Sequence, residues 1–276
     1  VSTHEFTLVA AVNNRKTLQE NLLASPDLAD GSSVRLLVKE GLPSASLAYN
    51  QAIDEADTDV IVFVHQDIFL PAKWFDCLRR AIRDLEESNT PWGVLGSFGS
   101  SHDAFGGVGR VYTNGLGMHG NAITAPKAVE TLDEIVLVLK KSSGLRFDPA
   151  LPHFHMYGID VCMAARHAGL GSFSIPAFCV HNTNQLLELP AEFYDCYDFV
   201  KAKWSQYLPI AASCMTISRR DVELRKKKRD EFIARLIRRG RKALKRVDDP
   251  RSLLPQEFWR RFESEPTVAL GNRVSR

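Results

Sequence analysis

The chain has 276 residues, 45% hydrophobic and 25% charged, with a formal net charge of +2. That composition excludes a disordered or fibrous protein and gives no bulk charge for gripping a polyanion. No apolar run approaches the ~20 residues that span a bilayer, and no stretch reads as a secretory leader.

Glu5–Val12 reads as a first strand ending in Asn13–Asn14. A short helix follows, with Leu18, Leu22 and Leu23 at helical spacing, closed by Ser25–Pro26–Asp27. Ser33–Val38 is a second strand running into Lys39–Glu40–Gly41, and a helix from about Ser44 to Ala56 gathers Ala45, Ala48, Ala52 and Ile53 on one face. The apolar run Val60–Val64 suits a strand buried on both faces in a parallel sheet. It stops at His65–Gln66–Asp67, where open α/β sheets bind ligands. Asp67 there is either a carboxylate for a divalent cation or a turn and cap residue. A helix over about Ala72–Glu87 and a strand over Trp92–Phe98 complete a strand–helix alternation that predicts parallel βαβ units.

Regularity breaks between Gly99 and Gly120, where the glycines lack the dinucleotide-binding spacing and suit a loop with a β-hairpin, a candidate lid. Glu134–Leu139 is another strand, and Tyr157–His167 a helix stopped at Gly169. Ser172–Val180 reads as one extended segment, placed at a sheet edge by Pro176 and ending at His181. An aromatic-rich helix spans Pro190–Tyr207. From Arg219 to Arg246, fourteen Lys and Arg face four Asp and Glu. Phe232, Ile233, Leu236, Ile237 and Leu244 repeat there at helical spacing. This is a packed helix with a solvated basic face, or one that meets an anionic membrane surface or a second subunit; no motif for specific nucleic acid accompanies it. The five cysteines are odd in number and widely spaced, which argues against a disulfide framework and for a reducing cytoplasm.

Ser44–Asn50, followed by the strand to His65–Gln66–Asp67, resembles the nucleotide-sugar half of GT-A glycosyltransferases of the family-2 type, in a streptomycin-biosynthesis-like subgroup. His65 stands where that family carries the first Asp of Asp-x-Asp. Leu132–Asp133–Glu134, Phe147–Asp148–Pro149, and Gly158–Ile159–Asp160 leading to Arg166 continue the pattern, with Ile159 and Cys162 departing from it. The resemblance covers about Glu5–Asn184. It implies a GT-A domain over 1–188, a mixed and mostly parallel sheet flanked by helices, with a helical basic extension over 189–276.

The resemblance further implies an inverting transfer from a nucleotide sugar (UDP-, GDP- or dTDP-linked) to an acceptor hydroxyl. Asp160 is then the general base, and Mn²⁺ or Mg²⁺ is held by Asp67 and His181. Asn13, Asn14, Arg15, Glu40, Asn50, His65, Gln66 and Asp67 would bind the donor. Asp133, Glu134, His155 and Tyr157 would border the acceptor. Two other classes stay open: a sugar-phosphate nucleotidyltransferase, and a non-catalytic sugar-nucleotide-binding scaffold.

Overall fold

The computed structural model describes residues 4–29, 33–184, 189–237 and 244–264, without the side chains of 234–236. Leu236 of the expected apolar repeat therefore lies outside the described side chains.

The first strands and helices are β1 (Phe6–Val12), α1 (Arg15–Glu20), β2 (Val34–Glu40), α2 (Ala45–Glu55), β3 (Val60–Val64), β4 (Ile68–Phe69), α3 (Trp74–Glu87) and β5 (Trp92–Gly96). The irregular middle holds β6 (Gly99–Ser100), the hairpin β7 (Val111–Thr113) and β8 (Gly117–His119), β9 (Lys127–Val129) and β10 (Thr131–Leu132). Then come β11 (Val136–Lys140), α4 (Tyr157–His167), β12 (Gly171–Ser174), β13 (Cys179–His181), α5 (Ala191–Lys203), α6 (Val222–Ile237) and α7 (Gln256–Ser264). Ser44 starts α2 as expected of a cap, its hydroxyl accepting the Leu47 N–H at 3.3 Å.

The main sheet has the order β2-β1-β3-β11-β5-β12-β9. β2, β1 and β3 pair in parallel, and so do β5 and β12. β11 lies between β3 and β5, antiparallel to both. The fold is thus a mixed, mostly parallel sheet between helices, as expected. The reversal of β11 matters most for function. Its N-terminal side lies at the edge where β1, β2 and β3 end, so Asp133 and Glu134 arrive beside His65. The His65 N–H donates to the Ile135 carbonyl at 3.2 Å.

The expected single edge strand over Ser172–Val180 is two strands, and neither is at an edge. β12 sits between β5 and β9, while β13 sits between β4 and β7 in a second sheet, β4-β13-β7-β8. Pro176, which has no N–H for a ladder, occupies the crossing between them. That crossing sends His181 toward Asp67. His181 pairs with Ile68 across β4, and the Asn182 N–H donates to the Asp67 carbonyl at 2.9 Å.

The core lies on both sides of the sheet. Tyr49, Phe63, Phe147 and Tyr157 form a buried aromatic cluster with ring centroids 4.8–5.9 Å apart. α5 packs onto the core. Phe193, Cys196, Tyr197, Val200 and Trp204 join the same hydrophobic cluster as α2 and α4. α6 differs from the packed-helix reading: Leu224 is buried, but Phe232, Ile233 and Ile237 are exposed.

Candidate functional site

Two cavities open at the carboxyl edge of the main sheet. The first, about 780 Å³, is lined by Asn13, Asn14, Arg15, Glu40, Gln66, Asp67, His155, Tyr157 and Arg246 among others. The second, about 900 Å³, is lined by Asp133, Glu134, His181, the Gly-rich loop around Phe105 and residues of 211–216. His65 lines both.

His65, Asp67 and His181 stand at this junction, with one ligand atom from each within 4.8 Å of the others. His181 Nε2 is 3.5 Å from Asp67 Oδ1. Burial pushes the Asp67 carboxyl upward, but the facing His181, His65 and Arg246 outweigh it and hold the group well below the usual carboxylate range. Tyr157 Oη donates to the Glu134 carbonyl at 3.3 Å and lies 2.8 Å from His65 Nε2. Two imidazoles and an ionised carboxylate form a donor set that could hold a divalent metal ion. Tyr157 orients one of them, as an outer-shell partner does.

The floor of the first cavity is knit from β1 and the turn after β3. Gln66 Oε1 accepts the N–H groups of Asn13 and Asn14 at 3.2 and 3.0 Å. Asn14 in turn caps α1 by accepting the Thr17 N–H at 3.0 Å. Arg15 and Glu40 form a two-pronged ion pair at 3.0 and 2.6 Å at the rim. The structure therefore collects Asn13, Asn14, Arg15, Glu40, His65, Gln66 and Asp67 around the first cavity. Asn50 is not among them. Its amide is spent on the Phe147 backbone, donating to the carbonyl at 2.8 Å and accepting the N–H at 3.1 Å, and it lines neither cavity. His155 and Tyr157, expected near the acceptor, line the first cavity instead.

Asp160 stands apart from the expectation. It is 2% exposed and lines neither cavity. One oxygen accepts the Trp204 Nε1–H at 2.7 Å, and Lys203 Nζ lies 2.7 and 3.0 Å from the pair of oxygens. This carboxylate ties α4 to α5, and its partners block the access a general base needs.

A carboxylate that packs against the start of α4 and does face a cavity is Glu134, from the segment before β11. The N–H of Gly158 donates to its Oε1 at 3.3 Å, and the N–H groups of Met156 and Tyr157 also face it. Gly158 makes this approach feasible, because a Cβ there would stand 2.9 Å from Glu134 Cγ. Burial, reinforced by neighbouring Asp133, pushes the Glu134 carboxyl up to about 8, against the pull of those backbone donors. Met156 precedes the helix in the left-handed region at φ 62°, a costly conformation for a side-chain-bearing residue beside a site.

Sequence reasoning missed Arg246. Its Nη2 donates to Asp67 Oδ2 at 3.0 Å across 179 residues of chain. Nothing in the run Lys245–Arg246 distinguishes it from the surrounding basic residues.

The family described as "Glycosyltransferase like family" matches residues 7–186, which include every strand of the main sheet except the first residue of β1. The chain belongs to this glycosyltransferase-like family. A curated relative, "ATP synthase subunits region ORF 6" of Fuscovulum blasticum, is 26% identical over 132 residues, 46% of this chain and 53% of the relative. The match thus spans about half of that protein's length. Among solved structures, S. aureus TarS aligns at 14% identity with a TM-score of 0.44, over 72% of this chain and 39% of TarS. TarS 1-349 in complex with UDP-GlcNAc aligns at 12% and 0.43, over 72% and 66%. A197 from STIV aligns at 9% and 0.40, over 67% and 98%. Likenesses this remote add nothing to the geometry above. The family assignment rests on the 7–186 match.

Asp160→Asn should lower unfolding free energy by about 1–3 kcal/mol, because it weakens charged hydrogen bonds to Lys203 and Trp204. Chemical denaturation measures this. Turnover should persist in the folded fraction; a variant of native stability without turnover would return the base assignment to Asp160.

Proposed function

We propose that the protein is an inverting glycosyltransferase that takes a sugar from a nucleotide-sugar donor in the first cavity and passes it to an acceptor hydroxyl in the second. The observation that carries this reading is the junction: His65 borders both cavities, and the cation-binding triad sits where they meet. A leaving group on one side and a nucleophile on the other favours attack from the face opposite the diphosphate, which inverts the anomeric centre.

The chain's residues divide the work. Asn13, Asn14 and Gln66 make a polar floor for the nucleotide, with Arg15 and Glu40 at its rim. A ring nitrogen from each of His65 and His181 and a carboxylate oxygen of Asp67 would hold a divalent cation. That ion, when bound, supplies positive charge to the departing diphosphate. Glu134 is the general base in place of Asp160. Its carboxylate borders the acceptor cavity, and its raised pKa makes it a strong proton acceptor when ionised. Asp133, whose Oδ1 accepts the Ile135 N–H at 3.2 Å, is held beside it. The loop with Phe105, fully exposed, and Leu116 offers apolar surface to an acceptor at the cavity mouth.

α6 favours an anionic lipid surface as the partner of the basic region. Phe232, Ile233 and Ile237 are 61%, 44% and 67% exposed on a helix carrying the run Arg225–Arg229. Apolar side chains amid cationic ones suit the headgroup boundary. Glu223 and Lys227 of the same helix line the second cavity, so the acceptor site opens near this surface.

Two measurements test these assignments. Glu134→Gln should cut transfer by about 10²–10⁴-fold while leaving folding and Mn²⁺ binding intact. A base works deprotonated, so wild-type kcat should rise with pH until the Glu134 carboxyl ionises near 8 and then level off. The variant should lack that limb, whereas unchanged transfer by Glu134→Gln would exclude Glu134. Separately, the protein should co-sediment with phosphatidylserine vesicles and less with phosphatidylcholine. Phe232→Ser with Ile233→Ser should release it, and a concentration-dependent dimer lost in that variant would assign the face to a second copy instead.

A further inference from the structure

Arg246, the last residue of the basic run, reaches the site and is clamped there. The Asn182 side chain, fully buried, donates to the Val247 carbonyl at 2.7 Å and accepts the Val247 N–H at 3.0 Å. The buried Asn114 amide donates to the Lys245 carbonyl at 2.8 Å. Two buried amides thus grip the backbone on either side of residue 246. The side chain between them lies along the wall of the first cavity. One N–H of its guanidinium serves Asp67, while its Nε is buried with no hydrogen-bond partner among the described residues.

A buried donor without an acceptor is uncommon in a native protein and calls for a partner such as a water or an anion. The guanidinium presents its N–H groups in a planar fork that matches two phosphate oxygens at once. The cavity it lines is also lined by Asn13 and Asn14 and by His65 and Asp67 of the triad.

We infer that Arg246 is a diphosphate-binding residue of the donor site, its Nε–H and Nη groups taking phosphate oxygens beside Asp67. The inference rests on reading the first cavity as the nucleotide-sugar site. Without ligand, Arg246 neutralises Asp67. A divalent cation held by Asp67 would free the guanidinium for the diphosphate, so the two ligands would strengthen each other's binding. The C-terminal segment is then a working wall of the donor pocket rather than an appendage to it.

Titration calorimetry of the full chain with inorganic pyrophosphate, with and without Mn²⁺, tests this independently of nucleotide base and acceptor. Arg246→Ala should weaken pyrophosphate binding by about tenfold to a hundredfold, the loss expected for hydrogen bonds between charged groups. Arg246→Lys should recover part of it, since an ammonium keeps charge but not the fork. Lys245→Ala, which leaves the carbonyl held by Asn114 in place, should bind like wild type. Mn²⁺ affinity of Arg246→Ala should be equal or higher, because Asp67 loses its competitor. Pyrophosphate binding that is unchanged in both Arg246 variants would overturn the inference alone. Tighter binding in Arg246→Ala would do the same and make the residue a plug. A wild-type chain that binds no pyrophosphate under either condition would overturn this inference together with the donor-site reading.

Discussion

A single buried carboxylate organises this site. Asp67 leaves water almost entirely, yet it is held ionised by cationic and imidazole groups from elsewhere in the chain. An isolated charge at that depth would be expelled or protonated. Its partners therefore have to be delivered: His181 by β13 pairing with β4, and Arg246 by the segment clamped on Asn114 and Asn182. The same charge makes the position attractive to a divalent cation. The second sheet and the C-terminal segment are thus part of the site's electrostatics as well as its shape.

The reversed strand β11 supplies the other half. Running antiparallel between β3 and β5, it brings Asp133 and Glu134 to the edge where the parallel strands end. Glu134 then rests against the first N–H groups of α4, in space that Gly158 leaves open. The helix start and the desolvated cavity wall act in opposite directions on its proton, and desolvation prevails. The result is a carboxyl poised to exchange a proton in the neutral range, next to the residue that joins the two cavities.

Much of this was legible in the residues. β1, β3, α2 and α4 fall within a residue or two of where apolar runs, Ser44 and Gly169 place them, because local periodicity and capping decide such elements. The cluster of polar residues after β1, β2 and β3 follows from the rule that parallel strands present their carboxyl ends together. What failed depended on contacts distant in sequence. Asp160 carries the right spacing from Arg166, but Lys203 and Trp204, more than forty residues on, occupy its oxygens. Asn50 is held by Phe147 across 97 residues. Ser172–Val180 reads as one strand because alternation says nothing about a change of sheet at Pro176. Arg246 lies in a run of like charges where composition cannot distinguish one arginine from another.

The proposed cation site lies just beyond β3 and at the end of β13, between two cavities. Crystals of the full chain soaked in Mn²⁺ with a nucleoside diphosphate would test it directly by anomalous scattering. The account predicts one strong peak within coordination distance of His65, Asp67 and His181, with the diphosphate extending into the first cavity. A peak elsewhere, or nucleotide density remote from Asp67, would contradict it.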